Sequence, residues 1–286
     1  MGNKFGGFSY IYNAVKHDIP FVESIESVID VVDQFVLTEC FSEDETWELC
    51  QELQAKYPKK VKLVRNDWVV DFREISTLAN WTILNFDSDI KYVMELQSDE
   101  VIHEKDLEIL RVLPDRLESE GKSAARWNYL HFVCNSSTTF PFCYSSLVRI
   151  VERRTPWRVI GDGVQFAYGG DQQIPEEMII NTDIEVFHYG KMKDPTKGQA
   201  KELSFQNLFR DLGFPDKRSV EMQEKLNGKC DYLYLFRDHV VNKTINKFEG
   251  THPRVMQKRL EEFRSNGFEQ FVSMMEDGLK IEFGDK

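Results

Sequence analysis

Residues 92–100 read YVMELQSDE, an apolar run that ends abruptly in carboxylates. Its hydrophobic and β-prone residues predict a buried strand over 92–97, with Gln97, Ser98, Asp99 and Glu100 at the C-terminal tip. In open α/β sheets that tip is where ligands bind. A carboxylate pair placed there can hold a divalent cation through hard oxygen ligands, and such a cation neutralises a diphosphate. Taken alone, the same residues serve equally well as the start of a solvated loop that caps the next helix. The order of the preceding elements bears on the choice.

Working back toward the N-terminus, residues 8–12 (FSYIY) predict a first strand ending at Asn13 and Ala14. Residues 20–32 carry a helical stripe with Pro20 at its start. A second strand, 34–38 (QFVLT), ends at Glu39. A helix over 44–56 has Asp44 placed to cap it and Pro58 beyond its end. A third strand, Val61–Arg65, and a third helix, 71–86, lead into the 92–97 strand. Strands alternating with helices describe a parallel sheet with right-handed crossovers, the nucleotide-binding type of α/β layer. No Gly-x-Gly-x-x-Gly follows the first strand and no Walker A sequence is present, so this sheet must hold a ligand by other means.

Composition sets the outer limits. The 286 residues, 41% hydrophobic and 29% charged, suit a soluble globular protein of one large domain or two closely packed halves. A formal charge of −12 argues against a surface that grips nucleic acid. The five cysteines, at 40, 50, 134, 143 and 230, form no Cys-x-x-Cys pair and read as reduced core residues. There is no apolar h-region at the N-terminus and no apolar run of about 18 residues. A cytoplasmic protein without a membrane span is the expectation.

At residues 39–46, ECFSEDET, the chain resembles the Asp-x-x-Ser-x-Asp-x-Thr segment that follows the second strand in family 2 glycosyltransferases of the GT-A fold. Tyr12-Asn13 resembles the Tyr-Asn at their first strand end, and residues 97–100, QSDE, resemble their Asp-x-Asp-Glu. Order and spacing agree over roughly residues 5–120. Glu39 replaces the usual Asp with the same chemistry and longer reach. Gln97 replaces the first Asp of the Asp-x-Asp and removes one negative charge from the metal site. The resemblance implies a Rossmann-type, mostly parallel GT-A-like sheet flanked by helices. It also implies a nucleoside diphosphate-sugar donor, a UDP-sugar first among them, bound with Mn²⁺ or Mg²⁺.

The residues carry their own logic beside that resemblance. Glu39 offers a carboxylate acceptor at a strand tip for a base or ribose; the resemblance implies that Tyr12 and the backbone of Asn13 line the same site. Asn13 serves equally as a turn residue. Asp67 ends the third strand and can help hold the nucleotide. Arg73, Thr77 and Asn80 share one helical face, where Arg73 can meet a base, a phosphate or merely a nearby acid.

A helix over 106–118 has Leu107, Leu110, Leu113 and Leu117 on one core stripe. Ala124–Val133 begins a second set of strands, with Trp127, Tyr129 and Phe132 reading as core. Residues 135–140, NSSTTF, read as a polar loop, and Ser146 opens another strand. Residues 157–164, WRVIGDGV, place Asp162 between two glycines, in an ordinary turn or close to a ligand. An inverting transfer needs one carboxylate to take the acceptor's proton, and Asp162 is the candidate. His188-Tyr-Gly190 and the basic run 191–197, KMKDPTK, resemble the His-x-Gly segment and basic loop of the same enzymes. That resemblance makes His188 a metal ligand beside Asp99. Lys193 and Lys197 then offset diphosphate charge, unless they are simply a solvated face. Imidazole favours Mn²⁺ over Mg²⁺.

Residues 199–286 read as a mainly helical C-terminal extension that shapes the acceptor site or a homodimer contact. The expectation is a glycosyltransferase in which residues 1–120 hold the nucleotide and 121–198 the acceptor and reaction centre. The acceptor hydroxyl stays open among glycans, proteins, small metabolites and a modified DNA base. A nucleotidyltransferase on a related sheet and a non-catalytic sugar-nucleotide binding module are the rival readings.

Overall fold

The computed structural model describes residues 2–69, 71, 74–133, 135–141, 144–153, 156–161, 163, 165–170, 172–194, 197, 198, 201, 204 and 245–266. The predicted alternation forms as β1 (Phe5–Ile11), α1 (Phe21–Val28), β2 (Gln34–Glu39), α2 (Thr46–Lys56), β3 (Val61–Arg65), α3 (Ile75–Leu84) and β4 (Tyr92–Glu95). The four strands are parallel, in the order β3-β2-β1-β4. Parallel strands need crossover helices on the sheet faces, which buries them on both sides. All of β4 is buried, as is all of β1 except Tyr10.

The second half of the chain extends the same sheet. It comprises β5 (Glu100–Ile102), α4 (Leu107–Ser119), β6 (Ala124–Val133), β7 (Thr138–Thr139), β8 (Ser146–Glu152), β9 (Trp157–Ile160), β10 (Gln165–Tyr168), β11 (Ile179–Lys191), β12 (Asn246–Lys247) and α5 (Gln257–Ser265). β8 runs antiparallel between β4 and β6, and β11 lies parallel to β6 and antiparallel to β5. The result is a mixed, mostly parallel layer on one side and an antiparallel extension on the other, flanked by helices. β9 and β10 form a separate hairpin.

Several boundaries differ from the sequence expectation. The strand in residues 92–97 stops at Glu95, because Gln97 N–H turns to the Glu100 carboxylate (3.0 Å) and Glu100 N–H to the Gln97 carbonyl (2.9 Å). That turn sends the chain back into the sheet as β5. The polar loop expected over 135–140 contains β7, which pairs with β12 and with Phe132 of β6. Most of 199–286 lies outside the described residues. Within 245–266, Met256, Leu260 and Phe263 pack on Phe132, Phe187 and Tyr189. Cys40 and Cys50 are buried and free, as expected, whereas Cys134, Cys143 and Cys230 lie outside the described residues. The α4 stripe is core at Leu110, Leu113 and Leu117, and Trp127 and Phe132 are fully buried.

The most consequential departure concerns Glu100. It does not stand at the tip beside Asp99 but points into the core, with Glu95, at the fully buried Arg149 of β8. Arg149 donates through Nη1 to Glu95 (3.0 Å) and through Nη2 to Glu100 (2.7 Å), and through Nε to the Tyr129 hydroxyl. Tyr129 donates onward to Glu100 at 3.0 Å. Glu100 therefore collects three donors, whereas Glu95 has the guanidinium and a long bond from Tyr10 (3.4 Å). One cation cannot fully compensate two buried carboxylates. Burial pushes the Glu95 carboxyl up to about 7, and Arg149 only partly opposes it.

Two outcomes follow. Arg149→Met strands two buried carboxylates and should cost roughly 3–5 kcal/mol, read by urea unfolding at neutral pH. Because the Glu95 carboxyl titrates higher folded than unfolded, its contribution to stability is complete below the ordinary carboxylate range and lost as pH rises through about 7. Relative to wild type, Glu95→Gln should therefore flatten the fall in thermal stability between pH 5 and pH 8, by on the order of 3 kcal/mol.

Candidate active site at the strand tips

The C-terminal ends of β1 and β2 carry unusual backbone. Asn13 (φ 49°), Asp18 (φ 51°) and Phe41 (φ 52°) are non-glycine residues in the left-handed region, a conformation that persists only where surrounding contacts fix it. At Asn13 those contacts come from the 39–46 segment. The Ser42 hydroxyl accepts from Asn13 N–H (2.9 Å), Thr46 from Ala14 N–H (2.8 Å) and Asp44 from Lys16 N–H (2.7 Å). In return the Asn13 side-chain carbonyl accepts from Glu43 N–H at 2.8 Å. Asp44 also receives Thr46 N–H (3.1 Å), but the cap position of α2 is Glu45 and no side chain caps the helix there, so the cap expected of Asp44 is displaced by one residue. Asn13 thus organises the loop with its side chain, while its own N–H is taken by Ser42 and its carbonyl by His17 N–H (3.0 Å).

Glu39 is fully buried, and each of its oxygens is engaged: Oε1 by Ser42 N–H (2.6 Å) and Oε2 by Arg65 Nε (2.7 Å). Arg65 lies between the Phe41 and Trp47 rings, 4.2 and 4.1 Å from their centroids. The carboxylate expected to face a nucleotide is covered by a guanidinium, and Arg65 is a residue the sequence reading missed. Beside it, Tyr12 stacks on Trp68 with centroids 5.1 Å apart and planes 12° apart. Asp67 is exposed at the end of β3. Arg73 lies outside the described residues. Asn80, expected on a ligand-facing side, instead pairs with the backbone of Val159 in β9 through both ends of its amide (2.8 and 2.9 Å).

The tip of β4 is tied down separately. The Ser98 hydroxyl lies 3.0 Å from that of Ser9 and donates to the Tyr10 carbonyl at 3.1 Å, while the Gln97 carbonyl accepts from Ser24 at 3.1 Å. Asp99 is brought to β11 by Tyr189 N–H, which donates to its backbone carbonyl at 2.8 Å. A register shift between His188 and Lys191 bends β11 there. His188 Nε2 then stands 3.5 Å from Asp99 Oδ1. Asp99 and His188, 89 positions apart by the difference of their numbers, meet as the sequence anticipated.

A second histidine fixes the first. His131 sits opposite His188 in the β6–β11 register, with its Nε2 2.9 Å from the Tyr144 carbonyl and its Nδ1 2.9 Å from His188 Nδ1. Burial, then the His188 charge, pushes His131 down to about 3, so it is neutral. A carbonyl only accepts, so the His131 proton is assigned to Nε2, and Nδ1 accepts from His188 Nδ1–H. In its imidazole form, His188 therefore turns the Nε2 lone pair toward Asp99. Two acceptors facing one spot are what a cation site requires. The acceptor on His131 fixes the His188 tautomer, the part that a carboxylate, carbonyl or water plays behind a metal-bound histidine.

The space for a cation is made by Gly190. A Cβ built there would lie 2.7 Å from both Asp99 Oδ2 and His188 Nε2, so any side chain would fill the seat. Among the described residues no three His, Cys, Asp or Glu side chains gather. An ion here would take one carboxylate and one imidazole from the protein and its remaining ligands from water and substrate oxygens. That donor set fits Mn²⁺ and tolerates Mg²⁺.

The lysines are distributed unexpectedly. Lys193 is buried, and its ammonium caps the carbonyls of His17 (3.2 Å) and Asp18 (3.1 Å). Burial and then Lys201 hold its pKa well below the usual lysine range. Lys197 is exposed. Lys201, absent from the sequence expectation, donates to Asp99 Oδ2 at 2.8 Å. Burial raises the Asp99 pKa, but Lys201 and His188 outweigh it and hold the carboxyl well below its usual range. Asp162 lies outside the described residues. Its neighbour Gly163 (φ 83°) lies against the Tyr10 hydroxyl and Ile75.

No family model matches the chain, and no curated protein matches it. Among solved structures, it is similar to 4-diphosphocytidyl-2C-methyl-D-erythritol synthase from Anaerococcus prevotii. The identity is 11% and the TM-score 0.42, over 74% of this chain and all of that one. TarS residues 1–349 from S. aureus in complex with UDP align over 99% of this chain and 93% of that one, at 11% identity and a TM-score of 0.41. Glucosyl-3-phosphoglycerate synthase from Mycobacterium tuberculosis, bound to Mn²⁺ and UDP-glucose, aligns over 76% and 81%, at 15% identity and a TM-score of 0.41. Among the described residues no helix is long and apolar enough to cross a membrane.

Gly190→Ala tests the seat directly. The variant should keep the wild-type circular dichroism spectrum and lose at least about tenfold in Mn²⁺ affinity, measured by the electron paramagnetic resonance of free Mn²⁺.

Proposed function

We propose that this protein transfers a sugar from a nucleoside diphosphate donor, a UDP-sugar first among the candidates, to a hydroxyl acceptor, with inversion. The observation that carries the reading is the convergence of Asp99 and His188 over Gly190 at the tips of a parallel sheet. Ligand sites of such sheets lie at that edge. The resemblance of residues 39–46 and 97–100 to family 2 glycosyltransferases supports it, since Ser42, Asp44 and Thr46 build the loop beside the site.

In this reading the nucleotide lies over residues 1–120. Tyr12 and Trp68 offer it a flat aromatic face, Asp67 an exposed acceptor, and Arg65 a rigid guanidinium beside the buried Glu39. The diphosphate points toward Asp99 and His188. Mn²⁺ or Mg²⁺, when bound there, supplies positive charge opposite the leaving diphosphate. Lys193 fixes the loop at residues 13–18 from beneath, and Lys197 faces solvent where phosphate charge can be offset. Residues 121–198 hold the acceptor. Its hydroxyl oxygen bonds to the anomeric carbon as the carbon–oxygen bond to phosphate breaks, and Asp162 takes the hydroxyl proton. The nucleoside diphosphate leaves with the bonding electrons.

A panel of sugar nucleotides assayed for released nucleoside diphosphate tests the reading. Release with Mn²⁺ is expected. Pyrophosphate released from a triphosphate would make the protein a nucleotidyltransferase instead, and donor binding without release a binding module. Asp99→Asn and His188→Ala should each remove metal-dependent donor binding. Asp162→Asn should keep donor affinity while lowering kcat by about 100-fold or more; turnover that survives it moves the base elsewhere.

A further inference from the structure

The oxygen of Asp99 that borders the Gly190 seat is already taken. Lys201 Nζ lies 2.8 Å from Asp99 Oδ2, the same atom that a Cβ on Gly190 would approach to 2.7 Å. Both side chains are nearly closed off, 11% exposed for Lys201 and 12% for Asp99. Three residues on, the Ser204 hydroxyl is 3.2 Å from His17 Nε2, so the segment carrying Lys201 is also held to the loop at residues 13–18. With Gln97 uncharged and Glu100 turned into the Arg149 pair, Asp99 is the one carboxylate that residues 97–100 present here. A buried carboxylate needs a cationic partner. One such carboxylate cannot serve an ammonium and a divalent ion at the same oxygen, because like charges at that range repel strongly in a low-dielectric site.

We propose that Lys201 is the resident cation of the Asp99–His188 site, and that a divalent ion takes Asp99 Oδ2 only by displacing the Lys201 ammonium, which then becomes a ligand of the donor's diphosphate. Lys201 so couples metal arrival to diphosphate capture. No bond is made or broken in this exchange, and the number of charged partners around Asp99 is preserved. The inference rests on the cation site of the proposed function and not on sugar transfer.

Titration of the full-length chain with Mn²⁺ alone, followed by the resonance of free Mn²⁺, tests the exchange. Lys201→Met should bind Mn²⁺ at least about tenfold more tightly than wild type, because no ammonium has to be displaced. With Mn²⁺ saturating, the same variant should bind UDP about tenfold more weakly. Equal or weaker Mn²⁺ binding by Lys201→Met overturns the proposal. A measurement on the wild-type chain guards against a misfolded variant. Acylation of Lys201 by an amine-reactive ester, quantified by peptide mass spectrometry, should be slow in the metal-free protein, rise with Mn²⁺ and fall again when UDP is added. Acylation indifferent to Mn²⁺ also overturns it. A chain that releases no nucleoside diphosphate but shows tighter Mn²⁺ binding in the variant loses the transferase reading and keeps this one. Release with equal Mn²⁺ affinities does the reverse.

Discussion

The guanidinium of Arg149, sealed between Glu95 and Glu100, is the constraint on which the site depends. It anchors both ends of the segment that leaves β4 and returns as β5, so the four residues between them have only one way to turn. That turn leaves Asp99 out of the Arg149 cluster while Glu95 and Glu100 are consumed in it. Buried ion pairs of this kind give little net stability over a packed apolar group, but losing one partner is costly. The value of the arrangement here is therefore positional: Asp99 is set between His188 of β11 and Lys201.

Around that fixed point, the strand tips are preorganised by side chains that never need to touch a ligand. Ser42, Asp44 and Thr46 hold the loop at 13–16 by its backbone, and Asn13 reciprocates. Three left-handed non-glycine residues concentrate at the same edge. The His131–His188 pair extends the principle to the imidazole beside Asp99, whose orientation is set by a carbonyl two groups away. Distant parts of the chain contribute too. Arg259 of α5 reaches Asp18 at 2.7 Å and Glu23 at 3.0 Å, which ties the C-terminal helix to the first loop.

These features make a site whose charges are balanced internally. Glu39 is matched by Arg65, Asp99 by Lys201, and Asp18 by Arg259. A ligand bearing phosphates and a cation must rearrange at least one of these pairs, and Asp99–Lys201 is the pair that meets His188 and Gly190. Lys193, which caps two backbone carbonyls, serves the scaffold instead.

The sequence by itself determined the alternation of β1 to β4 with their helices, which local periodicity carries directly. That Asp99 and His188 meet was legible only through the resemblance of residues 97–100 and 188–190 to family 2 glycosyltransferases. Tertiary structure alone decided which carboxylates are used. Glu100 and Asp99 are adjacent in the chain and look equivalent, yet Arg149, a lone charge within the apolar run of β8, claims one and leaves the other. It also decided that Glu39 is covered by Arg65, that Asn80 latches a hairpin, and that His131 backs His188. Lys201 had no legible signal at all, because its role arises from a contact made across 102 positions and a burial that no local pattern records. Charge pairing in a folded interior depends on which groups are excluded from water together, and that is set by packing rather than by order along the chain.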